Sequence, residues 1–245
     1  MIEVRRLATL EEFSQALQLQ QYVWGFADAD LVPLPVFVVA SHTGGQVLGA
    51  FDGRRMVGFC LAFPGLKPGG PFLHSHMLAV LPEYRNAGVG RLLKLEQRSD
   101  ARARGLDLME WTFDPLQIKN AYFNIARLGA IVRRYLENEY GNTSSPLDGG
   151  LPTDRCVAEW WIASPRVEAI LSAGSEPRAL ASGRVEQRII LPADMDRIRR
   201  EDPARARDIQ RSTAARFQSS FSQGLAVIGF ERTDTEGAYL LGRWP

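Results

Sequence analysis

Cysteine, lysine and histidine are all scarce in this chain of 245 residues. Its two cysteines, Cys60 and Cys156, lie in separate apolar runs, which argues against a disulfide framework or a cysteine zinc site. They are expected to be buried free thiols in a reducing compartment. Lys67, Lys94 and Lys119 are the only lysines, so arginine carries nearly all the positive charge. That charge is almost balanced, 29 basic against 28 acidic side chains, and a net +1 argues against a nucleic-acid-binding surface. With only His42, His74 and His76 available, nothing supplies ligands at metal-site spacing, and no metal is expected. Long apolar runs are missing too. The best, residues 31–40, is short and contains Pro33 and Pro35, and the opening MIEVRRLATLEEF has no apolar signal core. A cytoplasmic protein without a membrane segment is the expectation.

What is present is ordinary globular material, 45% hydrophobic and 23% charged, enough for a real core. Residues 2–7 alternate apolar and charged and predict a strand. Thr9 and Glu12 form a capping box for a helix to Trp24, its face carrying Phe13, Leu17 and Val23. Residues 25–46, rich in Gly and Pro, read as an irregular substrate loop. Asp52-Gly53 predicts a hairpin between 46–51 and 55–63, followed by a turn over 64–70 and a strand over 72–80. A helix over 90–104 would bury Leu92, Leu93 and Leu95 and stop at Gly105. Strands are predicted at 108–113, 131–137 and 157–163, with a helix at 117–128 ended by Gly129 and a polar loop at 142–153. Further on come a linker at 172–182, a strand at 184–191, helices at 194–200 and 204–222, and paired strands at 225–231 and 238–242. The change of texture near Ser164 divides a main domain, 1–165, from a C-terminal extension, 166–245. That extension either packs on the domain or mediates a homodimer.

Residues 74–93, HSHMLAVLPEYRNAGVGRLL, carry the chemistry. An apolar strand runs through a turn into a glycine-punctuated loop and then a helix. Unpaired N–H groups of the loop and first helical turn converge there, with the positive end of the helix dipole behind them. Gly88 and Gly90 let a phosphate approach, and Arg85 and Arg91 flank the loop with charge-assisted donors. His74 and His76, two apart on a strand, share one face and titrate near neutrality. A Rossmann fingerprint is excluded because Leu93 stands at its third glycine, and no Gly-Lys-Ser/Thr of a Walker loop occurs.

Arg85-Asn86-Ala87-Gly88-Val89-Gly90, preceded by Leu78-Ala79-Val80, Pro82 and Tyr84, resembles the pyrophosphate loop of the GNAT (Gcn5-related N-acetyltransferase) superfamily. The element order over residues 1–163 is similar as well. The resemblance implies an α/β GNAT fold, with a mixed, splayed central sheet flanked by helices and a C-terminal α/β extension added. It implies acetyl-CoA, or another acyl-CoA, held by the backbone of Leu78, Ala79 and Val80 and by residues Arg85, Asn86, Ala87, Gly88, Val89, Gly90 and Arg91. Asn120 or Asn124 would lie near the cofactor. The fourth and fifth strands should splay, with no pairing between them. The run His74-Ser75-His76-Met77-Leu78-Ala79-Val80 is similar to the His-x-His strand of arylalkylamine N-acetyltransferases, which implies that His74 and His76 help deprotonate an amine.

Family members often place a Tyr four residues before the glycine that ends the next helix, to protonate the departing thiolate. Here that position is Ile125, and Tyr122, Tyr135 and Tyr140 are the substitutes at hand, or water serves. The reading is direct transfer of an acyl group to a primary amine of a small molecule or amino acid, with a strand N–H near Leu78 steadying the oxyanion. The alternative is a catalytically silent CoA-binding regulatory or scaffold protein.

Overall fold

A computed structural model describes residues 1–141, 143–146, 149–173 and 185–244, and its elements are those of a mixed α/β protein. They fall into two units, Met1–Glu110 with Thr143–Leu147, and Trp111–Asn142 with Asp148–Pro245.

In the first unit, β1 (Ile2–Arg6) is followed by α1 (Leu10–Trp24). The capping box forms as expected: Thr9 accepts from the Glu12 N–H, and Glu12 reaches back to the Thr9 N–H. Such a cap contributes about 1 kcal/mol. The buried face is Phe13, Ala16, Leu19 and Gln20; Leu17 and Val23 are only half-buried. Residues 25–46 are not irregular throughout, because α2 (Leu34–His42) occupies their second half. Pro33 caps it and Pro35 sits in its first turn, where a missing N–H breaks no helical bond, so both prolines start a helix here instead of preventing one.

β2 (Gln46–Asp52), β3 (Arg55–Lys67) and β4 (Gly70–Val80) form an antiparallel meander. The turn expected at 64–70 shrinks to residues 68–69, since Pro64 pairs with Leu73 inside the β3–β4 hairpin. Pairing with β2 ends at Ala62, so Pro64 lies where only β4 is a neighbour and its missing N–H breaks no ladder. A short 3₁₀ turn (Pro82–Tyr84) leads to α3 (Val89–Ala103), and β5 (Leu108–Phe113) closes the order β1-β2-β3-β4-β5. α3 buries Val89, Leu93, Lys94, Gln97 and Ala101, while Leu92 is exposed and Leu95 half-buried. Phe37, Phe59, Leu48, Leu61 and Leu93 are among the fully enclosed side chains of this unit's core.

In the second unit, α4 (Ile118–Ala121) continues into a π-helical turn (Tyr122–Arg127), and β6 (Ile131–Leu136) pairs antiparallel with β7 (Arg155–Trp161). A helix not expected from the sequence, α5 (Pro165–Ser172), is capped by Ser164. After it come β8 (Gln187–Pro192), α6 (Met195–Glu201), α7 (Pro203–Ser222), β9 (Leu225–Arg232) and β10 (Glu236–Arg243). The strand order is β7-β6-β9-β10-β8, with Val132 of β6 opposite Val227 of β9. Phe217 of α7 packs against Tyr135 and Tyr239, whose hydroxyl donates to the Pro115 carbonyl at 2.6 Å. Of the linker expected at 172–182, Ser172 ends α5 and residues 174–182 lie outside the described residues, as do Asn142 and Arg184.

Candidate active site

The site is built at the open edge of β4. Leu81 N donates to Val57 O of β3 at 2.9 Å. Strand alternation therefore turns the backbone groups of Leu78 and Val80 away from β3, towards the β5 side. There β5 pairs with β4 at Leu73–Met109 and His74–Glu110, and among the described residues the ladder goes no further. The expectation of no pairing is thus corrected: the strands are joined at their starts and part beyond His74. The Leu78 N–H and C=O therefore lie past the last β4–β5 pair found among the described residues. Val80 O, on the same side, accepts from Arg85 Nε at 3.2 Å.

A bulge lies at the point of parting. Met77 opposes Leu61 and Ser75 opposes Ala62, so His76 is the extra residue in β4. Bulges bend a strand and re-aim the side chain that has no partner. The imidazoles of His74 and His76 lie 6.0 Å apart between centroids, and Phe63 stands 5.5 Å from His76. His76 is open to solvent yet closely walled by protein atoms. That desolvation, reinforced by the neighbouring His74, lowers its pKa to about 4, so the ring is neutral at physiological pH.

Beside the histidines, Glu110 of β5 is buried, opposite His74 in register, and ion-paired with Lys67. The Lys67 ammonium also lies 4.9 Å from the Phe72 ring centroid. Sequence reasoning missed Glu110; the signal was a lone carboxylate inside the apolar run Leu108–Phe113.

The glycine loop has the geometry of an anion cradle. Asn86 (φ 62°) and Gly88 (φ 83°) are left-handed, and Gly88 is the N-cap of the 15-residue α3 with no side chain closing it. The first intrahelical bond runs from Leu92 N to Gly88 O at 3.0 Å. The N–H groups of Gly88, Val89 and Gly90 precede it and have no helical carbonyl to meet. A Cβ on Gly88 would touch nothing within 4 Å, so that space is open to a ligand. Arg85, Asn86, Ala87 and Gly88 are exposed, Gly90 and Arg91 half-buried, and Val89 buried.

Asn120, Tyr122 and Asn124 belong to the second unit, the histidines and the cradle to the first. Asn120 is exposed, Tyr122 half-buried and Asn124 buried, with Asn124 O accepting from Ala130 N at 3.0 Å. The π turn that carries Tyr122 and Asn124 is a form found often at functional sites. Tyr135 is engaged elsewhere: its hydroxyl donates to Asp154 at 2.6 Å, and burial with that carboxylate pushes its pKa far up. Tyr140 shares a 2.7 Å hydrogen bond with Thr112.

Residues 6–123 match the model of the acetyltransferase (GNAT) family. Among solved structures, a putative GNAT acetyltransferase from Desulfovibrio desulfuricans superposes with a TM-score of 0.54 at 17% identity, over 66% of this chain and 100% of that one. The ribosomal-protein-S18-alanine N-acetyltransferase of Escherichia coli gives 0.53 at 16% identity, over 67% and 96%. Aminoglycoside 6'-acetyltransferase type Ii gives 0.53 at 18%, over 67% and 98%. At these identities the likeness is one of fold. No curated protein matches the sequence. Acetyl-CoA is the acyl donor of the family, and the residues here fit it: an open left-handed cradle for a pyrophosphate and a strand edge past the last described β4–β5 pair for an extended amide chain. The match over residues 6–123, just under half of the chain, and the likeness of fold together support an acetyltransferase domain of the GNAT family, and the chain is an acyl-transferring enzyme.

Proposed function

We propose that this enzyme transfers an acetyl group from acetyl-CoA to the primary amine of a small molecule or amino acid, by direct attack within a ternary complex. Gly88, Val89 and Gly90 hold the pyrophosphate through their N–H groups, with Asn86, Ala87, Arg85 and Arg91 around it. The Leu78 backbone binds the pantetheine arm beside Ala79 and Val80. Bound acetyl-CoA supplies an activated carbonyl and a thiolate leaving group. The Leu78 N–H, past the last described β4–β5 pair, donates to the carbonyl oxygen as it gains charge.

His74 and His76 handle the amine. An ammonium has no lone pair to attack with, so one proton must leave before the new C–N bond forms. The neutral His76 accepts a hydrogen bond from the amine, and the proton passes by His74 or water to solvent. Tyr122 is the candidate for returning a proton to the sulfur, since the hydroxyls of Tyr135 and Tyr140 are engaged elsewhere. Asn120 and Asn124 are assigned to cofactor contact on the family resemblance alone. The observation that carries this reading is the bulge at His76, which sets a neutral imidazole beside His74 where β4 and β5 part.

The test is thiol release from acetyl-CoA with a panel of small amines and amino acids. The His74→Ala/His76→Ala double variant is expected to lose about a hundredfold or more in kcat while still binding CoA. Full turnover in that variant sinks the histidine assignment, and no turnover with any amine sinks the acceptor class.

A further inference from the structure

α3 hides a row of polar side chains that the reaction does not use directly. Lys94 and Gln97 are 3% and 0% exposed, on the helix face turned to the sheet. Lys94 Nζ donates to Ser75 Oγ at 2.8 Å, and Ser75 Oγ donates to Gln97 Oε1 at 3.0 Å. Ser75 is itself 4% exposed. The row is anchored further along. Gln46 Nε2 donates to Gln97 O at 2.9 Å and to Asp100 Oδ2 at 2.6 Å, and Asp100 pairs with Arg6 and Arg104.

An amine in such a place does not serve stability. Burial drives the Lys94 pKa down to about 7, which measures how poorly the site accommodates the charge. An apolar side chain of similar length would fill the space at no such cost. What the row does supply is position. Ser75 is the residue immediately before the bulge, and its hydroxyl is held between two side chains of one helix. Ser75 opposes Ala62 and Met77 opposes Leu61, and those neighbours on β3 face opposite sides of the sheet, so the buried side chains of β4 change face across the extra residue, His76, with Ser75 on the α3 side. The same helix begins with the anion cradle at Gly88, within two turns of Lys94. One rigid element therefore holds both the cofactor's charged end and the strand that presents the imidazole.

We propose that Lys94, acting through Ser75, is a positioning residue for His76, bracing β4 so that the bulge presents the imidazole at the parting of β4 and β5. The inference rests on the reading of His76 as the group that meets the amine, and its test separates the two. Ser75→Ala and Lys94→Met are made alone and in a His76→Ala background, with folding checked by circular dichroism. Each single variant is expected to lower kcat about tenfold, since small misplacements of a reacting group are costly. KM for acetyl-CoA should stay within about twofold, because the cradle is untouched. In the His76→Ala background neither change should lower kcat further.

Independently, the His76 Cε1–H resonance followed by NMR should give an altered titration midpoint in Ser75→Ala. Folded variants with unchanged kcat and an unmoved His76 midpoint overturn the proposal, as do losses that multiply with His76→Ala. Should His76→Ala alone leave kcat intact, the catalytic reading of His76 falls, and the NMR midpoint still decides whether Ser75 positions the ring.

Discussion

Asp30 and Ser144, 114 residues apart in the chain, are joined by two hydrogen bonds to one carboxylate oxygen. Ser144 N donates to Asp30 Oδ2 at 2.7 Å and Ser144 Oγ at 2.5 Å, while Ala27 N donates to Ser144 Oγ at 2.8 Å. Ser145 Oγ adds a bond to Trp24 O at 2.8 Å. The segment between α1 and α2 is therefore fastened by residues from a distant loop. Ser144→Ala should raise hydrogen exchange across residues 25–32 while leaving the exchange of β3 and β4 unchanged; equal exchange in both proteins would refute the clip. The Ser144 bonds hold the Asp30 pKa below its ordinary 3.8. A carboxylate with a depressed folded pKa contributes above its unfolded value and loses that contribution as pH falls through the folded one. The clip is expected to hold at neutral pH and to open only in acid, below about pH 4.

Gly88 and Gly90 differ in what an added methyl would do. At Gly88 the left-handed φ of 83° strains any L-residue by about 1–2 kcal/mol, and the methyl would project into the cradle. Gly90 lies inside α3, where a Cβ meets Leu78 Cδ2 at 3.5 Å, an ordinary contact. Gly88→Ala should therefore raise KM for acetyl-CoA about tenfold, whereas Gly90→Ala should leave it unchanged and stabilise the helix by about 0.5 kcal/mol. Steady-state kinetics and thermal melts distinguish these outcomes, and equal effects from the two variants would contradict the cradle geometry.

His76, with a folded pKa near 4 against an ordinary 6.5, disfavours its charged form in the folded protein. Its contribution to stability is complete above pH 6.5 and is lost as pH falls from 6.5 towards 4. His76→Gln should flatten the stability profile across that window. An NMR titration of the ring should find its midpoint near 4; a midpoint near 6.5 would show that the wall around it is not dry.

Arg199 of α6 is buried against Asp114, Nη2 to Oδ2 at 2.5 Å, and Asp114 also accepts from Leu116 N at 2.8 Å. Asp114→Ala leaves a buried cation without that carboxylate and should cost about 3 kcal/mol or more, read as a fall in the denaturation midpoint. Arg197, paired with Asp194 and Glu201 in the open, is the control: Arg197→Ala should change stability by less than about 1 kcal/mol.

Local chemistry was readable where one residue type sets one backbone state. Thr9 with Glu12 predicted a cap, Asp52-Gly53 a hairpin and Gly105 a helix end, and each is present. Reading failed where the deciding partner is remote. Pro33 and Pro35 looked like breakers because nothing local shows that they fall in a first turn. The leucines at 92 and 95 looked like the buried stripe of α3, but the sheet is met by Val89, Leu93, Lys94 and Gln97, whose polar members find partners on β4 and β2. In the candidate site, the cradle was legible as a contiguous motif. The bulge at His76 was not, because it is a property of the pairing between two strands and not of either strand alone.

The pairing of β9 with β6 has a practical consequence for anyone trimming this protein. A chain cut after residue 165 keeps every residue matched to the family yet strips β6 of its neighbour beyond Val132. Unpaired strand groups then become a template for other molecules. Such a fragment should precipitate or self-associate on expression, and the shortest well-behaved enzyme will be one that retains β9 and the hairpin it makes with β10.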